Sequence, residues 1–176
     1  MIEGGKARIP PTQVLRLWPN MTSYFVAEYC QVHGYSSTIC TACASATQAI
    51  GEAAEVIRRG AADVVISGGS DSVVSKVLFA GFDAMRAFPR NFNDQPDRAS
   101  RPFDAKREGF VPAQGCGILI LESLTHAQER GARVLAEVLG HGVSNHGYHM
   151  VAPAPASEPA ALAIQQALLS SGVRRS

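Results

Sequence analysis

Long hydrophobic runs are missing from this chain. No apolar stretch approaches the roughly 20 residues that a bilayer-spanning helix needs, so a membrane protein is not expected. Net charge is nearly missing too: 16 Lys and Arg stand against 15 Asp and Glu, leaving +1 at pH 7. That balance gives no broad electrostatic case for nucleic acid or an anionic membrane surface. Arg174 and Arg175 make a short tail, not a basic patch. The opening MIEGGKARIPP holds no apolar signal core, and a cytoplasmic location is expected. Cysteine is sparse, with four in all at 30, 40, 43 and 116, and in a cytosolic chain these are expected reduced rather than cross-linked. No internal repeat is found.

What is present suits one domain of the soluble α/β class. The 176 residues are 46% hydrophobic and 18% charged, enough for a real core and without a disordered signature. TQVLRLWPN reads as a short helical stretch stopped near Pro19. Asn20 can cap a helix through MTSYFVAEYCQVH that Gly34 ends. SSTIC reads as a buried strand. In ASATQAIGEAAEVIRRG the residues Ala46, Ala49, Ile50, Ala53 and Ile57 recur at helical steps, and Gly60 closes the helix. ADVVISGG and CGILILE are apolar runs fit for buried strands. A loop-rich stretch lies between them, from FPRNF to VPAQG. SLTHAQERG is a helix capped by Ser123, ARVLAEVLGHGVS a further strand, and SEPAALAIQQALLSSG a last helix between Ser157 and Gly172. Alternating strands and helices predict a largely parallel sheet with right-handed crossovers.

Chemistry concentrates at Cys40-Thr41-Ala42-Cys43. A structural zinc needs two further ligands, and Cys30 and Cys116 stand alone. A C-x-x-C between strand and helix also suits a thioredoxin-like redox site, although the motif alone is weak. A third reading rests on position. A strand that turns directly into a helix sets the turn residue among unpaired amides at the positive end of the helix dipole. A thiol there gains thiolate character, and the same amides can hold a developing oxyanion. Small neighbours, Ala42, Ala44, Ser45 and Ala46, leave room for an acyl group or a pantetheine arm. Against this, a free cysteine is among the most commonly buried residue types. These local features leave nucleophile and buried thiol both open.

Six stretches in order, TACASATQAIGEA, GAADVVISGGSDS, AGFDAMRA, ASRPFDAKREGFV, GILILESLTHAQERGARVLAEVLG and YHM, resemble the β-ketoacyl-ACP synthases. The resemblance runs from about Pro19 to Gly172. It implies a thiolase-like layered α/β fold, here in part: a lead-in over 1–18, the later part of the first half with the nucleophile over 19–150, and the start of the second half over 151–176. It implies that Cys43, in T-A-C-A, is the acylated nucleophile, that Cys40 is packing, and that Phe82 in AGF lines the acyl pocket. The simple alternative for Phe82 is core packing. The implied reaction is decarboxylative Claisen condensation of acyl-Cys43 with malonyl-ACP to a 3-oxoacyl-ACP, in fatty acid or polyketide synthesis. No metal or organic cofactor is implied, because the phosphopantetheine belongs to the acyl carrier protein. The implied partners are that carrier, its acyl and malonyl thioesters, and a second copy pairing through SSTIC.

The family also uses two histidines, in H-G-T and G-G-H segments, and neither segment occurs in the sequence. The expectation is a truncated synthase piece; the alternative is a non-catalytic thiolase-fold partner subunit of an active synthase. His141, His146 and His149 form a tempting base cluster, but His149 matches an ordinary Y-H-M position and His146 falls where many relatives have Asp. His126 suits a solvated helix face, and His33 the carbonyls of a helix end. Pro112, Gln114 and Cys116 depart from the fatty-acid pattern toward polyketide-type branches. Arg101, Asp104, Arg107 and Glu108 suit structural turns and ion pairs better than catalysis.

Overall fold

The structure, a computed structural model, describes residues 10–173. Its regular elements are α1 (Asn20–Cys30), α2 (Ser45–Arg58), β1 (Val64–Ser72), α3 (Lys76–Ala84), β2 (Gln114–Glu122), α4 (Leu124–Glu129) and α5 (Glu158–Ser171), with short 3-10 turns at Leu15–Leu17, Ala42–Ala44 and Pro96–Arg98. Two compact units divide the chain: residues 1–68 with 119–176, and residues 69–118.

Several ends follow from their sequences. α2 stops where Gly60 turns left-handed at φ 70°, with Ala61 N–H reaching Val56 O and Gly60 N–H reaching Ile57 O, the paired closure that glycine permits. α5 closes in a similar place at Gly172, φ 67°. Ser123 caps α4 by accepting from His126 N–H, and Ser75 caps α3 by accepting from Leu78 N–H. Other expectations are corrected. α1 ends at Cys30, short of His33 and Gly34, because Gln31 itself takes the left-handed conformation (φ 53°) and its side-chain amide donates to Glu28 O. Asn20 is the first helical residue and not the cap, and Ser157 precedes α5 without a side-chain capping bond.

The sheet also differs from expectation. Among the described residues it has two strands, β1 beside β2. Ser123 N–H donates to Asp63 O at one end, and Ser72 pairs with Gln114 at the other, so the strands run antiparallel. SSTIC and ARVLAEVLGHGVS form no ladder. In the second of these, backbone groups that a neighbouring strand would use bond to side chains instead. Arg58 donates to Val138 O and Leu139 O at 2.8 Å each, His141 N–H donates to Ser170 Oγ, and Val143 N–H donates to Gln166 Oε1.

The buried apolar residues are Ala53, Ala54 and Val56 on α2 and Ala127 on α4. Side chains this small allow backbones to approach closely, and three glycines complete the arrangement in the first unit. A Cβ on Gly51 of α2 would lie 2.4 Å from the ring of His141; one on Gly142 would lie 2.0 Å from Ala163 O of α5; one on Gly140 would lie 2.4 Å from Ser170 Oγ. Gly140 and Gly142, two residues apart, face α5, while His141 between them faces α2, the period-two alternation of an extended segment.

Candidate active site

Cys43 sits in the 3-10 turn Ala42–Ala44 that runs directly into α2, and its side chain is exposed. The turn is built by its own polar residues. Thr41 N–H donates to Ser45 Oγ at 2.7 Å, the Ser45 hydroxyl donates to Ala42 O at 2.7 Å, and the Thr41 hydroxyl donates to Gln48 Oε1 at 3.1 Å. Ala42 carries φ 50°, a left-handed conformation that costs a non-glycine residue about 1 kcal/mol or more and is retained where surrounding bonds over-determine it. Ser45 is held back toward the turn, so no side chain caps α2, whose N-cap is Ala44. Cys43 therefore stands in a turn that leads into the positive end of the α2 dipole, with the amides just after it already used in the turn: Ala44 N–H donates to Thr41 O and Ser45 N–H to Ala42 O.

Cys40 is likewise exposed and unbonded to another sulfur, as are Cys30 and Cys116. Packing does not cover Cys40 as expected. No group of three or more His, Cys, Asp or Glu side chains suited to a metal ion occurs among the described residues.

The histidines do not form a common base site. His141 packs on Gly51 with its Nδ1 buried and unpartnered, 3.7 Å from Glu55 Oε1. His146 Nδ1 accepts from Tyr148 N–H, and His149 Nδ1 accepts from both Val151 and Ala152 N–H at 3.0 Å. Each of these two closes its own turn. His126 pairs with Glu122, which Arg130 also grips through two nitrogens at 2.6 and 2.7 Å. The Arg130 guanidinium, aided by His126, lowers the Glu122 carboxyl to about 2. Among the described residues His33 makes no hydrogen bond to the carbonyls ending α1.

Phe82 lies on α3, in the unit of residues 69–118. Its ring meets Phe110 edge-on at 5.3 Å and Phe88 at 5.9 Å; Phe88 meets Phe110 at 5.9 Å and Phe79 at 5.3 Å. The charged loop beside this cluster makes turns and ion pairs, among them Arg101 with Asp104 at 3.9 Å. Glu108 accepts from the Asn91 side chain and backbone, and those bonds hold its carboxyl below the usual range. Arg101 donates to Arg98 O and lies 4.0 Å over the Phe92 ring. Sequence reasoning missed the Phe79–Phe82–Phe88–Phe110 cluster and the seat of His141. Visible signals were the repeated Gly-Phe pairs at 81–82 and 109–110 and an isolated glycine inside α2, which in a helix signals close packing.

Comparison with known proteins adds to this geometry. Residues 3–127 match the family described as beta-ketoacyl synthase, N-terminal domain. The 3-oxoacyl-[acyl-carrier-protein] synthase 2 of Rhizobium meliloti is 40% identical over 169 residues, covering 96% of this chain and 40% of that protein. A solved beta-ketoacyl synthase from Burkholderia phymatum superposes with a TM-score of 0.84 at 34% identity, over 94% of this chain and 40% of the other. The AntDE:AntF complex, a type II PKS acyl-carrier protein with its ketosynthase bound to the hexaketide, gives 0.89 at 33% identity, over 94% and 41%. The chain thus spans about two fifths of the length of the relatives it matches. These neighbours have the thiolase fold, so the chain is a partial α/β layer of that fold.

Proposed function

The chain belongs to the beta-ketoacyl synthase family, and we propose that it carries the acyl-accepting part of a 3-oxoacyl-ACP synthase, with Cys43 as the nucleophile. The observation that supports this most is the exposed Cys43 at the uncapped start of α2. In the proposed step the Cys43 thiolate attacks the carbonyl of an acyl thioester, with the positive end of α2 next to the developing oxyanion. The carbon–sulfur bond to pantetheine then breaks, leaving acyl-Cys43 and a pantetheine thiolate that takes a proton from water. The retained, exposed cysteine favours this acceptor role over a non-catalytic partner subunit.

The partner in this reading is an acyl carrier protein, which supplies the phosphopantetheine, and no resident cofactor takes part. A ketosynthase neighbour is seen with its carrier, which supports that partner class. Condensation with malonyl-ACP, pairing of two copies through residues 36–40, a cytoplasmic setting and the lining of the acyl pocket by Phe82 belong to the same proposal. The 176 residues contain neither an H-G-T nor a G-G-H segment, so acyl transfer is the step assigned to this stretch. Among the described residues no helix is long and apolar enough to cross a membrane.

Incubation with an acyl pantetheine thioester followed by peptide mass mapping tests the assignment. The expected result is one acyl adduct, on Cys43, absent in Cys43→Ala and retained in Cys40→Ala. Equal modification of all four cysteines, or a Cys40–Cys43 disulfide as the main product, would overturn it.

A further inference from the structure

Between the extended segment and α5 the chain turns repeatedly over residues 145–152, and side chains hold these turns. Asn145 Oδ1 accepts from Gly147 N–H at 2.7 Å, and His146 Nδ1 accepts from Tyr148 N–H at 3.1 Å. His149 Nδ1 accepts from Val151 and Ala152 N–H at 3.0 Å each. The bonds share one form: a side-chain acceptor reaches the amide two residues on, as Asn and Asp do in turns. None of these amides donates to a main-chain carbonyl among the described residues. Burial does not hold the turns either, because Tyr148, Met150 and Val151 stand exposed on them. The acceptors differ in one respect. An amide oxygen such as that of Asn145 keeps its lone pairs when the pH changes. An imidazole nitrogen accepts only while the ring is neutral, and in the cation both nitrogens donate. A proton on either ring therefore sets a donor against the N–H that the ring had held. No carboxylate offers the charged ring a compensating partner: among the described residues the histidine–carboxylate pairs belong to His126 and His141. On α5, whose Pro159 carbonyl accepts from Ser144 at the stem of the turns, Glu158 is the one titratable residue, and it pairs with neither ring.

We propose that His146 and His149 make residues 145–152 a proton-operated latch: the neutral rings fix the turns and the protonated rings release them. Histidine is the side chain that changes charge between about pH 5 and 8. The neutral ring is the form bonded in the ordered turn, so opening of the turn takes up the proton. Order is therefore present at the upper end of that range and is lost as pH falls. Release is graded along the chain. His149 lets go of two amides and His146 of one, while Asn145 keeps Gly147. The exposed side chains of Tyr148, Met150 and Val151 lose their fixed display with the same bonds. The latch is independent of the acceptor role of Cys43.

The test is amide exchange with water, measured by NMR in the unaltered chain near the two ends of the histidine range, at about pH 7.5 and about pH 5.5. Rates are expressed as protection relative to an unstructured peptide of the same sequence at the same pH. The protection of Tyr148, Val151 and Ala152 is expected to fall at the lower pH by about fivefold for each bond lost, while Gly147 keeps its protection. His149→Asn sets an amide oxygen where Nδ1 stood. It should preserve Val151 and Ala152 at the lower pH and leave the fall at Tyr148. His146→Asn should preserve Tyr148 and leave the fall at Val151 and Ala152. His149→Ala has no acceptor and should lose the protection of Val151 and Ala152 at both pH values. If Gly147 loses protection with the other three, the segment loosens as a whole and the latch is wrong. An unchanged protection in the unaltered chain, or a fall that persists when both histidines are replaced by asparagine, overturns it as well.

Discussion

The two units of the chain are held together by different means. In residues 1–68 with 119–176, regular helices meet an extended segment at very short range. Gly51 admits the His141 ring, Gly140 and Gly142 admit the backbone of α5, and among the described residues the buried apolar side chains are three alanines and Val56. In residues 69–118 no apolar side chain is buried to that degree. There an aromatic triangle and hydrogen bonds between distant loop positions, Ala87 to Phe110 and Asn91 to Glu108, do the holding. Small residues permit backbones to touch, so a single added methyl group is felt at once. Rings on a partly open surface tolerate adjustment, so the loss of one contact is spread over its neighbours. Cys43 is mounted on the first kind of structure and Phe82 on the second.

The sharpest way to break this contrast is to add bulk to glycine in each unit. Gly142→Val places a branched side chain where even a Cβ is 2.0 Å from Ala163 O, and relief requires α5 to move. A loss of about 3 kcal/mol is expected, read as faster amide hydrogen exchange in α5. Gly115→Ala in the other unit meets nothing within 4 Å and should fall within about 0.5 kcal/mol of neutral. Equal effects at the two positions would end the distinction.

That difference also explains what could be read from the sequence. α2, β1, β2, α4 and α5 follow from local signals: helical spacing of Ala46, Ala49, Ile50, Ala53 and Ile57, apolar runs bounded by turns, and the glycines 60 and 172. The place of Cys43, in a turn running into α2, was legible because such a turn is a local event; local features left its role open, and only the family resemblance pointed to a nucleophile. The antiparallel pairing of β1 with β2 was not, since an apolar run states that a strand is buried and not which way its neighbour runs. Nor was the conversion of residues 132–144 from expected strand to a segment gripped by Arg58, Gln166 and Ser170, because those partners lie 23 to 81 residues away. α3 escaped notice just before the loop-rich stretch, and the aromatic triangle depends on residues 82 and 110 meeting across that loop. Where α1 ends was misjudged for the opposite reason. Gly34 is the better residue for a left-handed turn, yet Gln31 reaches Glu28 O with its own amide and stops the helix first.

A smaller effect is expected from the aromatic side. Phe88 touches three other rings, at 5.3, 5.9 and 5.9 Å, but is only half-buried. Phe88→Ala should cost about 2 kcal/mol, below the range for a fully buried ring, seen as a lower thermal midpoint with faster exchange confined to residues 69–118. Faster exchange in α2 or α5 of this variant would mean that the triangle supports both units.

The smallest expected effect is electrostatic and belongs to the glycine-packed unit. Glu122 ends β2 with its side chain 10% exposed, and Arg130 and His126 both reach it from the α4 region. Its carboxyl is lowered from 4.5 to about 2, chiefly by the hydrogen bonds from Arg130. A carboxyl whose folded value lies below its unfolded value favours the folded state at any pH above the unfolded value. As pH falls below about 4.5 the unfolded chain takes up a proton that the folded chain still refuses, and the advantage shrinks until the folded carboxyl also protonates near 2. The thermal midpoint should therefore decline across that window more steeply in the unaltered chain than in Glu122→Gln, and the two curves should run parallel from neutral pH down to about 5. Arg130→Lys should fall between them, because an ammonium supplies the charge without the two-pronged grip. If Glu122→Gln keeps the full acid slope, other carboxylates carry the dependence, with Glu108 and its bonds from Asn91 as the first to examine.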